Sequence, residues 1–168
     1  MLDSRVSAGV EANISRVRAI LRSDIFSSRG SEHPLYLSAL TELTIRVNDL
    51  VGKAAATGHT IDFDDDVIKH GEVLDVRSLI NFIRNAVCHV SSETHKLDNL
   101  NAWISFNSQI GKGCFMEING QRLECNYEDD IAFFFGEQRI YLRRHLLRAF
   151  EEAGAALVPM LWRPESGA

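Results

Sequence analysis

The chain has 168 residues, of which 45% are hydrophobic and 24% charged, and its formal net charge is −5. These values are typical of one soluble globular domain, and the negative charge excludes a basic field over the whole surface, so any RNA-binding site has to be a local patch. No apolar run approaches the roughly 18 residues of a membrane span, and the N-terminus lacks the layout of a signal peptide. Three cysteines are too few for a disulfide framework. We therefore expect a cytoplasmic protein.

Two amphipathic helices are predicted in the first third of the chain. Apolar residues recur at helical spacing over residues 4–23 and again over roughly 34–56. Ser31 is a suitable N-cap for the second helix, with Pro34 in its first turn, and this helix should stop before Gly58. The apolar face of the second helix is predicted to contain Leu37, Leu40, Leu43, Val47, Leu50 and Val51.

A polar connector precedes the third predicted helix. Its three adjacent acids, Asp64, Asp65 and Asp66, read as solvated loop residues or a cap, because neighbouring carboxylates on a regular element cannot all point at one ion. The isolated histidines of the predicted loops and helix ends read as surface residues, so no metal site is expected. These are His33, His59, His70 and His95. Asp75 is a good N-cap for the third helix, and its apolar stripe is Val76, Leu79, Ile80, Ile83 and Val87.

The segment "CFMEINGQRLEC" predicts a β-hairpin, because Asn119-Gly120 is the favoured pair for a two-residue type I′ turn. Folding about that turn pairs Ile118 with Gln121, Glu117 with Arg122, Met116 with Leu123, and Cys114 with Cys125. The charges of Glu117 and Arg122 are complementary, which supports the register. In a cytoplasmic chain the two cysteines are expected to be reduced packing residues.

The last part of the chain predicts a short strand and a final helix. "DDIAFFFG" is ambiguous between a third strand and the start of that helix, and its phenylalanines favour a strand ending at Gly136. The final helix is predicted over roughly 137–153, ending at Gly154. The fold class is therefore mainly α: a helical bundle of about four helices with an inserted β-hairpin, and up to three short strands.

The segment "RNAVCH", from Arg84 to His89, lies in the last turns of the third predicted helix. It resembles the Arg-polar-x3–5-His motif of the HEPN superfamily, with Asn85 at the polar position. A second spacing, Arg139 to His145, fits less well because Ile140 occupies that position. The resemblance implies a single HEPN-like domain over residues 1–168, with its core at roughly 30–153, an added N-terminal helix (1–24) and a tail (154–168).

HEPN ribonucleases cut RNA without a metal ion and use the ribose 2′-hydroxyl as the internal nucleophile. The resemblance therefore implies a metal-independent endoribonuclease with no cofactor: a toxin, or a defence or stress enzyme that cleaves RNA such as tRNA or mRNA. His89 would be the general acid/base, since histidine titrates near neutral pH. Arg84 would stabilise charge on the phosphate oxygens, and Asn85 would position His89 or a phosphate oxygen.

On an ideal helix Arg84 and His89 lie about 140° apart and about 7.5 Å along the axis, so they do not share a face. A long arginine side chain and a distorted helix end can reconcile them, or a second chain can complete the site. HEPN ribonucleases are typically dimers whose motif helices face each other, so the resemblance implies a homodimer with a composite active site. The residues after His89 depart from the His-x-Tyr pattern of toxins silenced by tyrosine modification, which leaves an antitoxin of another type, or another regulatory protein, as a partner to consider.

Four arginines of the final predicted helix form a basic side that either binds RNA phosphates or is a solvated face. They are Arg139, Arg143, Arg144 and Arg148. Tyr141 among them is suited either to stacking on a base or to the edge of the core.

Two other hypotheses compete with the enzyme. One is a non-catalytic HEPN module that binds nucleotides or serves as a dimerising scaffold. The other is a purely structural interaction domain in which the hairpin and the "FFF" segment dock a partner. The motif itself also has a structural interpretation, a partly exposed helix end at which Arg84 pairs with an acid such as Asp75 and His89 caps the helix C-terminus.

Overall fold

The computed structural model describes residues 1–27, 30–89, 96–97, 102–118 and 121–162. Its long helices are α1 (Ser4–Arg22), α2 (Tyr36–Ala56), α3 (Val76–Cys88) and α4 (Arg148–Leu157). Its strands are β1 (Lys96–Leu97), β2 (Ala102–Trp103), β3 (Asn107–Ile110), β4 (Gly113–Ile118), β5 (Gln121–Cys125), β6 (Ile131–Phe135) and β7 (Gln138–Tyr141). A π-helical segment, Leu142–Leu147, joins β7 to α4, and short 3-10 turns lie at Asp24–Phe26, Gly30–Glu32 and Val158–Met160. The fold is mainly α, as predicted, but it is mixed, with more β structure than one inserted hairpin.

Side-chain caps define the starts of α1 and α3. The carboxylate of Asp3 accepts the N–H groups of Arg5 and Val6, each at 2.9 Å. The predicted cap at Asp75 is confirmed: its carboxylate accepts the Ser78 N–H at 2.7 Å, and the Ser78 hydroxyl accepts the Asp75 N–H at 3.0 Å. This reciprocal pair is a capping box, which satisfies two donors that a helix N-terminus otherwise leaves open.

The predicted N-cap of α2 is wrong, whereas its predicted start at roughly 34 is within two residues of the observed one. Ser31 lies in a 3-10 turn, α2 begins at Tyr36, and no side chain caps the helix from its N-cap position, Leu35. An N-cap at Ser31 would accept a hydrogen bond from the third following residue, and Pro34 has no N–H to donate. The predicted end before Gly58 is confirmed, since α2 ends at Ala56 and Gly58 has a φ of 87°. Leu37, predicted in the core, is 41% exposed.

The strand predicted in "IAFFF" is confirmed as β6, and it is the centre of an antiparallel sheet with the order β3–β6–β7. All five of its residues are buried. Gly136, with a φ of 55°, makes the tight turn into β7. Phe133 and Phe135 face the main core with the helices, while Ala132 and Phe134 face the hairpin β4–β5 and its own small core. The sheet therefore lies between a helical layer and a hairpin layer.

The predicted hairpin is confirmed, but its register is correct only near the turn. Met116 pairs with Leu123, Glu117 with Arg122 and Ile118 with Gln121, as predicted. The turn itself, residues 119–120, lies outside the described residues. A β-bulge between Cys114 and Met116 then shifts the register, so Cys125 lies opposite Gly113 and not opposite Cys114. Cys114 is exposed and Cys125 is buried, and both are free thiols.

The predicted boundaries of the final helix are wrong at both ends. Residues 138–141 form β7, and helical structure begins at Leu142. Gly154 lies within α4, which continues to the buried Leu157. The tail predicted from 154 therefore begins as helix, and the backbone N–H of Leu2 donates to the Met160 carbonyl at 2.8 Å.

The main core is shared by all four helices and one face of the sheet. From α1 it takes Val10, Ile14 and Val17, so this helix is part of the core. A polar network also joins α1 to α2, where Asn13 donates to Asp49 at 2.5 Å and accepts from Arg46 at 2.9 Å. Within the described part of the chain, no helix is both long enough and apolar enough to cross a membrane.

Candidate active site

The three predicted catalytic residues lie at the C-terminal end of α3. The helix ends at Cys88, and His89 is its C-cap, with φ −128° and ψ 83°, outside the helical region. The His89 N–H still donates to the Asn85 carbonyl at 3.0 Å, which closes the last helical turn. His89 is exposed, whereas Arg84 and Asn85 are half-buried.

Arg84 is turned toward Asn85. Its guanidinium Nη1 donates to the Asn85 side-chain oxygen Oδ1 at 2.8 Å. Asn85 lies about 100° further round the helix than Arg84, in the direction of the next turn that leads to His89. The hydrogen bond therefore draws the arginine fork toward the His89 side of the helix. With the helix ending before His89, this offsets part of the angular separation expected on an ideal helix.

The structural interpretation of the motif, a helix end with an Arg84–Asp75 pair and a His89 cap, agrees with the position of His89 but not with the partner of Arg84. His89 does lie at the helix C-terminus, where a cation is favourable. Asp75, the proposed acid partner of Arg84, instead accepts the bonds of the capping box at the opposite end of α3. Arg84 has no carboxylate partner among the described residues, and its guanidinium bonds to the neutral Asn85.

The four arginines predicted to bind RNA do not lie on one helix face. Arg139 belongs to β7, where its Nη1 donates to the Glu124 carbonyl at 2.9 Å and its guanidinium lies 4.7 Å from the centroid of the Tyr141 ring. Arg143 is exposed in the π-helical segment. The RNA-binding role of the four arginines stays a prediction. The prediction that they share one side of a helix is wrong, because Arg139 is in strand β7.

Arg144 and Arg148 are paired with carboxylates. Arg144 donates to Asp129 and to the buried Asp130, each at 3.0 Å, and its guanidinium lies 3.5 Å from the centroid of the Tyr127 ring. Arg148 donates to Asp65 and Glu152, each at 2.9 Å, and lies over the ring of Phe63. Both side chains therefore contribute to packing, and an RNA phosphate would compete with the carboxylates already bound to them.

Tyr141 and His145, which lie between these arginines in the sequence, are fully buried. The Tyr141 N–H donates to His145 Nδ1 at 3.1 Å, so Nε2 carries the proton and donates to the Asp65 carbonyl at 3.0 Å. Burial lowers the pKa of His145 below its ordinary value and raises the pKa of Tyr141 to about 12. Of the two roles expected for Tyr141, the structure supports packing in the core, because a ring with no exposed surface cannot stack on a base.

Each of the three adjacent acids has a bonded partner, and two of them hold the connector between α2 and α3 to other parts of the chain. Asp64 pairs with Lys69, Asp65 with Arg148, and Asp66 accepts the Tyr127 hydroxyl at 2.7 Å. Asp66 has a φ of 59°, a conformation that aspartate tolerates better than most residues. Within the described ranges, no group of His, Cys, Asp and Glu side chains has the arrangement of a metal site.

No family model, curated protein or solved structure matches this chain.

A groove between α2 and α3 was not predicted from the sequence. Asn48 and Gly52 of α2 line it together with Arg77 and Asn81 of α3. The spacing of the arginines could have indicated this groove, because Arg77 is seven residues before Arg84 and therefore lies on nearly the same face of α3.

Proposed function

We propose that this chain is a metal-independent endoribonuclease of HEPN type that acts as a homodimer. The observation that carries the proposal is the grouping of Arg84, Asn85 and His89 at the exposed end of α3, with the Arg84 guanidinium bonded to Asn85 and not to an acid. A fixed cation and a group that titrates near neutral pH are the two parts that transesterification of RNA requires.

In the proposed reaction, His89 accepts the proton of a ribose 2′-hydroxyl, and that oxygen attacks the adjacent phosphorus. The bond from phosphorus to the 5′-oxygen breaks, and the departing oxygen takes up a proton. The products are a 2′,3′-cyclic phosphate and a 5′-hydroxyl end. Arg84 donates two parallel hydrogen bonds to the non-bridging oxygens, where negative charge grows in the transition state. Asn85 fixes the direction of that fork.

A homodimer gives the site a second histidine, so that one chain removes the first proton and the other supplies the second. The support for this is the outer face of α2 beside α3, where Leu37 and Ile45 are 41% and 37% exposed. With Thr41 between them at four-residue intervals, they share one helix face. Apolar side chains on that face are suited to contact with a second copy. An antitoxin or another regulatory protein is a further partner to test.

The test of the activity is cleavage of mixed tRNA by the purified protein in excess EDTA. We expect cleavage that leaves cyclic-phosphate ends, and we expect His89→Ala to lose about 10²- to 10⁴-fold in rate, the usual contribution of a general acid or base. His59→Ala, which removes another exposed histidine, is the matched control and should keep full activity. Full activity in His89→Ala, or loss of cleavage on adding EDTA, would contradict the proposal.

A second candidate function is a non-catalytic module that binds a nucleotide or scaffolds a dimer. The observation that favours it is the pairing of Arg144 and Arg148 with carboxylates, which leaves little unneutralised positive charge at the C-terminal helix. Titration calorimetry with nucleotides separates the two functions. Saturable binding of a nucleotide, together with no RNA cleavage by the wild type, would favour the module.

A further inference from the structure

The groove between α2 and α3 leads from the candidate active site toward the N-terminus of α3. On α2 it is lined by Asn48 and Gly52, and on α3 by Arg77 and Asn81. The next turn of α3 after Asn81 contains Arg84 and Asn85, so the same flank of the helix continues into the site. Asp75 and Ser78 close the far end of the groove, where they are bonded to each other in the capping box.

Arg77 and Arg84 form a pair of cations along this flank. Seven residues separate them, which places them within about 20° of each other round the helix and about 10.5 Å apart along its axis. Among the described residues neither guanidinium has a carboxylate partner, in contrast to Arg144 and Arg148. Arg77 is exposed and Arg84 is half-buried. In a chain of net charge −5, two adjacent cations without acid partners form a local site for anions.

Two amides lie beside the arginine pair. Asn81 is exposed on α3 between Arg77 and Arg84, and Asn48 is half-buried on the facing side of α2. Within the described part of the chain, neither amide is hydrogen-bonded to another side chain. An amide presents both a donor and an acceptor, the combination that reads the edge of an unpaired base.

We infer that this groove binds the substrate RNA strand as single-stranded RNA, with one phosphate on Arg77 and a base edge at Asn48 and Asn81, while the scissile phosphate lies at Arg84. This inference rests on the proposed function for the identity of the scissile phosphate. Asn48 and Asn81 can bond to a base edge only where that base is unpaired, so the groove favours a single strand over a duplex. Arg77 is then a positioning and affinity residue, and His89 remains the group that moves protons.

The first experiment measures binding without cleavage. The probe is a single-stranded RNA of mixed sequence, about 12 nucleotides long, with 2′-O-methyl groups in place of the nucleophilic hydroxyls. We expect Arg77→Ala to weaken binding roughly fivefold. The slope of log K against log salt should fall by about 0.7, the change for one lost phosphate contact on a single strand. Arg5→Ala, which removes an exposed arginine from α1, is the matched control and should change neither quantity.

A second pair of variants tests the groove without removing a side chain. Gly52 lies in α2, and a Cβ added there meets no atom within 4 Å, so Gly52→Glu places a carboxylate in the groove without a steric conflict at the backbone. Gly9 of α1 has the same open surroundings, and Gly9→Glu is its control. We expect Gly52→Glu to weaken binding of the probe more than Arg77→Ala does, because it adds repulsion to the phosphates, and Gly9→Glu to leave binding unchanged.

The outcomes distinguish this inference from the proposed function. Equal binding by wild type, Arg77→Ala and Gly52→Glu overturns the groove, whether or not RNA is cleaved. No binding of the single strand, or equally tight binding of a duplex or of a polyglutamate peptide, also overturns it. If the wild type cleaves nothing but the groove variants weaken binding, the proposed catalysis fails and the groove stands. If RNA is cleaved, Arg77→Ala should raise KM and leave kcat unchanged, whereas His89→Ala lowers kcat.

Discussion

Asp130 is the residue on which the C-terminal part of the fold most depends. Its side chain is fully buried and accepts hydrogen bonds from the backbone N–H groups of Ile131, Arg143 and Arg144 at 2.8–3.1 Å. It also accepts the guanidinium of Arg144 at 3.0 Å. A buried carboxylate is stable only when its lone pairs are satisfied, and here three backbone donors and one cation satisfy them.

We expect Asp130→Asn to lower the free energy of unfolding by about 2–3 kcal/mol, because an amide places a donor against groups that are themselves donors and leaves Arg144 without its buried partner. Asp129→Asn is the matched control, since it removes the other carboxylate bound by Arg144 but at a position 69% exposed. That change should cost less than about 1 kcal/mol. Urea unfolding measures both, and equal costs for the two variants would contradict the role given to Asp130.

The role of Asp130 shows why single residues were harder to predict than elements. Arg144 appeared in the sequence as one of several arginines on a predicted basic face. Nothing in the local pattern indicated that an acid fourteen residues earlier binds it from within the core. By contrast, the Asp75 cap followed from its position just before an apolar stripe, and the structure confirms it with a capping box. Local hydrogen bonds can be predicted from the sequence, whereas a buried ion pair between the start of β6 and the segment after β7 cannot.

At the scale of elements, His145 of the π-helical segment Leu142–Leu147 bonds to two other parts of the chain. Its Nδ1 accepts the Tyr141 N–H and its Nε2–H donates to the Asp65 carbonyl, so one neutral ring holds the strand end and the connector together. A protonated ring carries a hydrogen on Nδ1 and cannot accept from Tyr141. Asp66, Asp130 and Arg139 are the charged groups that act on the ring, in addition to the burial that lowers its pKa.

This geometry predicts a pH dependence of stability. Because the pKa of His145 is lowered in the folded state, the unfolded chain binds a proton first as the pH falls, and protonation then favours unfolding. Stability due to this group is therefore complete above about pH 6.5 and is lost below it, by at most about 1.4 kcal/mol per pH unit. His145→Gln should remove that slope in urea unfolding between pH 7.5 and 5, and His59→Gln should keep it. An unchanged slope in His145→Gln would contradict the assignment.

The bulge in β4 shows what the hairpin prediction lacked. The turn dipeptide and the paired charges predicted the three pairs nearest the turn correctly. Strict alternation would send Phe115 and Met116 to opposite faces, but both pack against the small core under the hairpin, and Phe115 stacks on Phe134 with ring centroids 6.1 Å apart. The bulge makes this possible by adding one residue to β4. Its cause is the shape of a core formed by distant residues, so the segment alone could not indicate it.

The different burial of the three cysteines predicts the reactivity of their thiols. Cys88 and Cys114 are exposed, while Cys125 is buried and its burial raises the pKa of the thiol. A thiol with a raised pKa and no access to reagent reacts slowly. Titration of the native protein with an aromatic disulfide reagent should therefore show two fast thiols and a third that reacts only on unfolding. In Cys125→Ala the slow phase should be absent, and three fast thiols in the wild type would contradict this packing.

At the scale of the whole molecule, the chain forms a layer of helices, a three-stranded sheet and a hairpin layer. Hydrophobic periodicity predicted α1, most of α2 and the whole of α3, and the phenylalanine run predicted β6. The pairing of β6 with β3 and β7 was not predicted, because β3 and β7 are short and too polar to stand out in the sequence. Sheet order depends on contacts between distant segments, and one sequence contains little information about them.

The proposed homodimer is a prediction at this scale. Ile45 on α2 and Val158 after α4 are both 37% exposed. If α2 contacts a second copy, Ile45→Glu should shift sedimentation equilibrium toward monomer, because it buries an unpaired charge at an apolar contact. Val158→Glu makes the same change away from that face and should leave the association constant unchanged. A wild type that is monomeric at all concentrations, or equal effects of the two variants, would contradict the proposal.

The hydrogen bonds between the first and the last described segments of the chain have a consequence for folding during synthesis. The Trp162 N–H donates to the Ser7 hydroxyl at 2.8 Å, a contact across 155 positions, and the Leu2 N–H bonds to the Met160 carbonyl. In contrast, Asp130 is tied to Arg143 across only 13 positions. Contacts between near neighbours cost less loop entropy and form sooner. On the ribosome, α1 emerges well before residues 158–162 and cannot complete its packing until they have been made. Among the helices described, α1 is therefore one of the last to be fully buried, and its apolar stripe is the surface that a chaperone would meet on the nascent chain.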